Sequence, residues 1–148
     1  MSRFKTLILA TTGEKGIPDA STAPYVLDDG FFYIFVSQLA KHTGHLLQSG
    51  QCAVFFLEDE KDAINLFARK RLTINCEATA IDREQTSANV ILDSMAVRFG
   101  PTMGMLRQLP DFYLIRLQPQ SCNYVRGFGQ AFRFAAQDHA AMWHGPNG

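Results

Sequence analysis

The sequence predicts an α+β, mostly β protein: a small antiparallel β-barrel with short flanking helices, formed by one domain over residues 1–148. Three observations lead to this prediction. The chain has 148 residues, a length typical of one domain. Six or seven strand-like runs follow one another through mostly short turns, and two or three segments with helical spacing lie among them. Closing such strands into a barrel removes their exposed edges.

The first three strands are predicted as a β-meander. "FKTLILATT" (4–12) is a strand, and a region with Gly13, Gly16 and Pro18 turns the chain. "DASTAPYVL" (19–27) is a second strand, with small and hydroxyl residues where bulky ones are usual. "DDG" (28–30) is a hairpin turn signal, and "FFYIFVS" (31–37) is the third strand.

The middle of the chain alternates between helix and strand. Apolar spacing predicts a short helix from Leu39 to Gln48, with Ser37 as its N-cap. "CAVFFLE" (52–58) is a fourth strand, and the charged segment 59–67 is a helical turn or a loop. "ARKRLTINCEATAID" (68–82) is a long strand.

The last part of the chain carries two helices and the returning strands. Residues 83–100 are predicted as a helix whose apolar stripe includes Val90, Ile91, Ser94 and Val97, and residues 101–109 form a short second helix. Strand patterning returns over 111–134, interrupted at 118–121. A tail from about residue 135 lacks a clear period.

Composition excludes several classes of function. Fourteen basic residues balance fourteen acidic ones, so no overall charge favours binding to nucleic acid. No apolar run approaches the roughly 20 residues that span a bilayer, and the apolar stretch near the start is too short for a secretory signal. We therefore expect a cytoplasmic protein without nucleic-acid or membrane partners. The three cysteines are widely spaced, which favours buried free thiols over a metal site.

The stretch "SQLAKHTGHL" (37–46) is the first candidate site. A strand that ends at Ser37 and leads into a helix directs free N–H groups at whatever lies beyond, and Lys41 adds positive charge. This arrangement suits a phosphate or a carboxylate. An exposed amphipathic helix explains the same residues equally well. His42 and His45 form a metal pair only if a third ligand lies nearby.

Three further clusters have both a functional and a structural interpretation. Strand alternation would place Arg69 and Arg71 on one face, where they suit an oxyanion, or they belong to a solvated strand end paired with the acidic residues upstream. Asp111 is typical of a turn, and the glycines of "VRGFGQAF" mark a bulge. The tail histidines, including His144, are either haem ligands or surface residues without a functional role.

Five strings, in order, resemble the HugZ/HutZ-type haem-utilisation proteins: "LATTGEKGIPDASTAPYV", "FYIFVSQLAKHTGHL", "FARKRLTI", "LPDFYLIRLQP" and "VRGFGQAF". That family belongs to the split-barrel flavin-binding superfamily that includes pyridoxamine 5′-phosphate oxidase. The resemblance covers about residues 4–134. It implies a six-stranded antiparallel split barrel that forms a homodimer, with ligand clefts at the dimer seam.

The resemblance also implies a ligand, FMN or haem, and a set of site residues. The cofactor-binding residues that it implies are Ser37, Lys41, His42, Thr43, Arg69 and Arg71. In the haem branch, an acidic residue at the position of Asp111, contributed by the partner subunit, has the catalytic role of orienting the histidine that ligates the iron and the bound oxygen. His144 is the candidate for that histidine, although the relatives' residue lies further along the chain. Where relatives often have an asparagine, this chain has His45.

The function that the resemblance implies is oxidative haem degradation with release of iron, driven by O₂ and an unknown reductant. Two alternatives stay open. One is an FMN-dependent oxidoreductase related to pyridoxamine 5′-phosphate oxidase. The other is a haem- or flavin-binding or storage protein without turnover.

Overall fold

The computed structural model describes residues 4–127 and 130–135 of the chain. Seven strands and three helices follow one another along the sequence, with two single 3₁₀ turns, Glu60–Asp62 and Leu66–Ala68, between the fourth and fifth strands. In chain order the elements are β1 (Thr6–Thr12), β2 (Pro18–Asp28), β3 (Phe31–Ser37), α1 (Lys41–Ser49), β4 (Gln51–Leu57), β5 (Arg71–Ile81), α2 (Thr86–Phe99), α3 (Thr102–Arg107), β6 (Phe112–Gly127) and β7 (Gln130–Ala135).

Six of the strands close into an antiparallel barrel. Neighbouring strands pair in the order β3, β2, β1, β4, β5, β6, and β6 returns to pair with β3 along Phe32–Ser37. β7 pairs with the second half of β6, beyond the point where β6 leaves β3. The predicted six-stranded antiparallel split barrel with short flanking helices is confirmed.

β6 is the longest of the described strands and pairs with three other strands. Its first half lies between β3 and β5, and its second half lies between β5 and β7. Asn75 pairs with Ser121 and Cys76 pairs with Pro119, so Gln120 is one extra residue in β6. The interruption predicted at 118–121 is therefore a β-bulge within a continuous strand.

The turn between β2 and β3 matches its prediction. Asp29 and Gly30 both have positive φ values, 51° and 81°. A two-residue turn with positive φ at both positions fits the right-handed twist of the strands that it joins. Glycine at the second position adopts this conformation without steric cost.

Two apolar clusters make up the core. The first fills the barrel and contains Phe32 and Phe56, whose rings lie 5.9 Å apart. The second lies between the outer face of the barrel and the helices α2 and α3, around Phe35, Leu92 and Met95. The burial of both faces of this part of the sheet explains why β3 reads as an almost continuous apolar run.

The apolar stripe predicted for α2 is only partly correct. The buried residues are Ala88, Ile91, Leu92 and Met95, whereas Val90 and Val97 have exposed fractions of 58% and 89%. The valines are more hydrophobic than Ala88, but they lie on the opposite side of the helix from the second core. Contact with the barrel, rather than hydrophobicity alone, sets the buried face.

Two predictions from composition can be compared with the structure. No helix in the described part of the chain is long and apolar enough to cross a membrane. All three cysteines are free thiols in buried positions, as predicted. A hydrogen bond with Cys52, together with burial, raises the pKa of Cys76, and burial raises the pKa of Cys122 to about 11. Such thiols are chemically unreactive near neutral pH.

Candidate functional site

The junction between β3 and α1 is built differently from its prediction. Ser37 does not cap the helix: the N-cap residue is Ala40, which has no side chain able to accept a hydrogen bond. The Ser37 hydroxyl instead accepts a hydrogen bond from the Leu39 N–H at 3.1 Å. A turn separates the strand from the helix, so the N-cap is Ala40, three residues after the predicted Ser37. The first turn of α1 is thus left without a side-chain cap.

Thr43 holds this junction together from inside the protein. It is 1% exposed, and its hydroxyl donates a hydrogen bond to the Ser37 carbonyl at 2.6 Å. That carbonyl also accepts from the Ala40 N–H at 3.1 Å. Thr43 therefore fixes the geometry of the junction, and its buried hydroxyl is committed to the main chain.

Two histidines of α1 face the strands β1 and β2. The Nδ1 atom of His42 lies 2.7 Å from the Ser21 hydroxyl, and the Nδ1 atom of His45 lies 2.9 Å from the Thr11 hydroxyl. Burial lowers the pKa of His42 below its ordinary value, an effect that the carboxylate of Asp19 opposes and His45 reinforces. The hydroxyl groups fix the orientation of both imidazole rings.

Gly13 leaves the space that the second ring needs. A β-carbon at this position would lie 2.9 Å from the Nε2 atom of His45, closer than real side chains approach. The residue that differs from the family pattern, His45, is therefore accommodated by the glycine of the β1–β2 turn.

A cleft of about 520 Å³ lies between the β1–β2 turn and α1. Lys15, Lys41 and His45 line it together with Glu14 and Asp19. The Lys41 side chain is exposed at the start of the helix, where the helix dipole is positive. This volume lies within the range of small-molecule sites, and Lys41 at the helix N-terminus is where an anionic group is favoured, while Glu14 and Asp19 offset the lysines in the rest of the cleft.

Asp111 lies beside this junction. The N–H of Gln38, the residue after β3, donates a hydrogen bond to the Asp111 carbonyl at 2.7 Å. Asp111 is half-buried and immediately precedes β6. Asp111 therefore lies next to the β3–α1 junction through its main chain, while Lys41 and His42 follow the junction on α1.

Arg69 and Arg71 do not share a strand face, contrary to the prediction from alternation. β5 begins at Arg71, and Arg69 follows a 3₁₀ turn. The Nε of Arg69 donates to the Glu58 carbonyl at 2.8 Å, and the Nη1 of Arg71 donates to the Arg69 carbonyl at 3.0 Å. The buried carboxylate of Glu58 accepts from the Lys70 N–H at 2.8 Å. This clamp bends the chain before the strand can begin.

The two arginines also lie far from the β3–α1 junction within the chain. Arg71 begins β5, whereas Ile81 ends β5 and pairs with Leu114, close to the Phe112 that pairs with Ser37. Ten residues of extended strand span about 30 Å. Within a single chain, Arg69 and Arg71 are therefore separated from the rest of the predicted cluster.

The histidine pair of α1 has no third metal ligand beside it in the described part of the chain. Among residues 4–127 and 130–135, no three His, Cys, Asp or Glu side chains group in a way that could hold a metal ion. His42 and His45 are thus a pair bound to hydroxyl groups. His144 and Gly129 lie outside the described residues.

Sequence reasoning missed the residues that position the site from neighbouring strands. Thr11 and Ser21 orient the two imidazole rings, and Glu58 bends the segment before β5. The signal for Ser21 was present in the small and hydroxyl residues of β2, which leave room for α1. A buried glutamate such as Glu58 has no comparable local signature.

Comparison with known proteins agrees with this architecture. The profile of the pyridoxamine 5′-phosphate oxidase family matches residues 1–126. The chain is 38% identical over 140 residues to the haem oxygenase HutZ of Vibrio cholerae serotype O1, covering 95% of this chain and 80% of that protein. It is 28% identical to a chloroplast non-canonical haem oxygenase of Arabidopsis thaliana, covering 84% of this chain and 37% of that protein.

Solved structures give the same result. The crystal structure of HutZ from Vibrio cholerae, described as a haem storage protein, superposes with a TM-score of 0.79 at 36% identity, covering 85% of this chain and 89% of that one. Campylobacter jejuni ChuZ superposes with a TM-score of 0.79 at 28% identity, covering 89% of this chain and 55% of that one. The chain belongs to the pyridoxamine 5′-phosphate oxidase family of split barrels, in the HugZ/HutZ-type branch.

Proposed function

We propose that this protein binds haem in the cleft beside the β3–α1 junction and takes part in its oxidative breakdown, with release of the iron. The observation that carries the proposal is the position of Asp111 beside the β3–α1 junction, where its carbonyl accepts a hydrogen bond from the Gln38 N–H at 2.7 Å. The likeness to the Vibrio cholerae haem oxygenase supports haem as the ligand. Dioxygen would supply the oxygen atoms, and an external reductant would supply the electrons.

The residues present fit a haem molecule. Its two propionates are carboxylates, and the cleft offers the amino group of Lys41 and a helix N-terminus without a side-chain cap. When bound, haem supplies an iron centre that activates dioxygen. The protein supplies the groups that hold the propionates.

Each site residue has a proposed role. Lys41 and His42 bind the propionates, while Ser37 and Thr43 keep the junction in shape. Asp111 of one subunit would accept a hydrogen bond from the N–H of the iron-ligating histidine of the other subunit, which would make that imidazole more basic. We propose His144 for that histidine.

A homodimer is part of the proposal. Arg71 lies about 30 Å along β5 from the strand end that is near the β3–α1 junction, and Arg69 precedes β5. A second copy, arranged around a cleft at the dimer seam, would bring the partner subunit's Arg71 towards the propionates. Guanidinium groups suit this task because they bind carboxylates through two parallel hydrogen bonds.

FMN is the second candidate ligand, favoured by the match to the pyridoxamine 5′-phosphate oxidase family. Its phosphate would bind at the same junction, beside Lys41, and the protein would then be an FMN-dependent oxidoreductase. Binding without turnover is the third candidate, supported by the description of one solved relative as a haem storage protein.

An absorption spectrum of the purified protein, recorded before and after addition of haem, tests these candidates. The proposed function predicts a Soret band that saturates at one haem per protomer and is lost after addition of ascorbate in air. A flavin spectrum in the purified protein would favour the FMN candidate instead. Saturable haem binding without bleaching would leave a storage protein.

Substitutions then test the site. Lys41→Met is expected to weaken haem binding about 2- to 5-fold, the effect of one exposed ion pair, and less at high salt. Lys61→Met, an exposed lysine in the segment between β4 and β5, is the matched control and should leave the affinity unchanged. His144→Ala should shift the Soret band; an unchanged spectrum would exclude His144 as the ligand.

A further inference from the structure

Asp111 lies in the loop between α3 and β6, residues 108–111, which has little regular structure of its own. The Gln38 N–H holds one side of this loop, through the Asp111 carbonyl. Arg83, in the turn between β5 and α2, approaches the loop from another side.

The guanidinium of Arg83 binds three main-chain carbonyls around Asp111. Its Nη1 donates to the Leu109 carbonyl at 2.9 Å and to the Phe112 carbonyl at 3.2 Å. Its Nη2 donates to the Arg107 carbonyl at 2.6 Å. These carbonyls lie on both sides of Asp111, so one planar group sets the course of the chain through that residue.

The Arg83 guanidinium is itself held against the core. It lies over the ring of Phe35, 5.0 Å from the ring centroid, and Phe35 belongs to the cluster under α2 and α3. Phe35 also contacts Phe112, with ring centroids 5.1 Å apart. The packed core therefore fixes where Arg83 presents its hydrogen-bond donors.

We propose that Arg83 is a positioning residue for Asp111: it fixes the loop so that the Asp111 carboxylate stands beside the β3–α1 junction. The inference rests on the proposed function, in which that carboxylate orients the ligating histidine. Arg83 acts through the main chain and touches no ligand. A lysine at this position offers one compact charge and cannot bind the three carbonyls with the same geometry.

The first experiment measures amide hydrogen exchange without haem. Arg83→Gln is expected to speed exchange of the Gln38 amide at least 10-fold, because the Asp111 carbonyl that it binds is no longer fixed. Arg116→Gln is the matched control. Arg116 also stacks on an aromatic ring, that of Phe31 at 5.1 Å, but it lies within β6, opposite Tyr33, and not in the loop that contains Asp111. Equal exchange of the Gln38 amide in wild type and Arg83→Gln would overturn the proposal.

The second experiment is a double-mutant cycle on haem bleaching. Arg83→Gln should keep the haem dissociation constant within about 3-fold and slow ascorbate-driven bleaching about 10-fold, the usual effect of losing a group that supports a ligand. If Arg83 acts through Asp111, adding Arg83→Gln to Asp111→Asn causes no further loss. Effects that multiply would mean that Arg83 acts independently of Asp111, against the proposal.

Two controls make every outcome decisive. If Arg83→Gln does not fold by circular dichroism, Arg83→Lys keeps the charge and is expected to show both effects in weaker form; wild-type behaviour of a folded Arg83→Lys in both assays would refute the need for the guanidinium. If the wild-type protein neither binds nor bleaches haem, the proposed function fails, and so does the catalytic role of the Arg83 hydrogen bonds. The exchange experiment then still decides whether Arg83 holds the loop.

Discussion

The barrel core and the β4–β5 segment offer two phenylalanines in opposite environments. Phe56 is 2% exposed, and its ring lies 5.5–5.9 Å from those of Phe4, Tyr25 and Phe32. Phe67 has an exposed fraction of 90%. Replacing each with alanine removes the same atoms, so the difference in unfolding free energy reports the contribution of burial and ring packing.

The expected magnitudes follow from these environments. Burial of one such side chain contributes about 1.5–3 kcal/mol, and the cavity left behind brings the total for Phe56→Ala to about 3–5 kcal/mol. For a chain of this length the corresponding fall in melting temperature is about 6–20 °C. Phe67→Ala should change the unfolding free energy by less than about 0.5 kcal/mol.

Urea unfolding followed by far-ultraviolet circular dichroism measures both changes. Phe56→Leu, expected to cost about 1 kcal/mol, extends the series if the alanine variant is too unstable to purify. Comparable losses for Phe56→Ala and Phe67→Ala, or a loss below about 1.5 kcal/mol for Phe56→Ala, would refute the assignment of Phe56 to the barrel core.

Three further predictions concern the junction and the turns. Because burial lowers the pKa of His42 below 6.5, the unfolded chain takes up this proton first, so stability should fall as pH drops through 6.5 towards the lowered pKa. His42→Gln should flatten this dependence in urea titrations at several pH values; an unchanged slope would contradict the role of His42. Thr43→Val should lose about 1 kcal/mol of unfolding free energy, because the Ser37 carbonyl loses a buried donor, and an unchanged urea midpoint would argue against this contact. Gly30→Ala should cost about 1 kcal/mol in the same assay, because φ is 81° there, whereas a neutral result would mean that the turn relaxes easily.

Short-range signals in the sequence were sufficient for the strands and the hairpin. The β2–β3 turn depends only on Asp29 and Gly30, whose conformational preferences are local. The strand β3 was predicted with its observed bounds, because a run of aromatic and branched residues ends at a serine. The closed barrel followed from the number of such strands and from the family resemblance.

The errors arose where distant residues decide the local structure. Arg69 was predicted in a strand, but the buried carboxylate of Glu58, twelve positions before Lys70, binds the chain there first. On α2, two possible apolar stripes share Ile91, and only contact with the barrel selects the one that contains Leu92 and Met95. Neither outcome is encoded in a window of neighbouring residues.

The pairing of β3 with β6 has a consequence for how the chain reaches its native state. Phe112, the partner of Ser37, follows it by 75 positions (112 minus 37). At translation rates of about 5–20 residues per second, the ribosome needs roughly 4–15 s to make that intervening chain. During this interval the apolar edge of β3 has no partner from its own chain. The nascent polypeptide is then most exposed to aggregation, and binding by a chaperone would have its greatest effect.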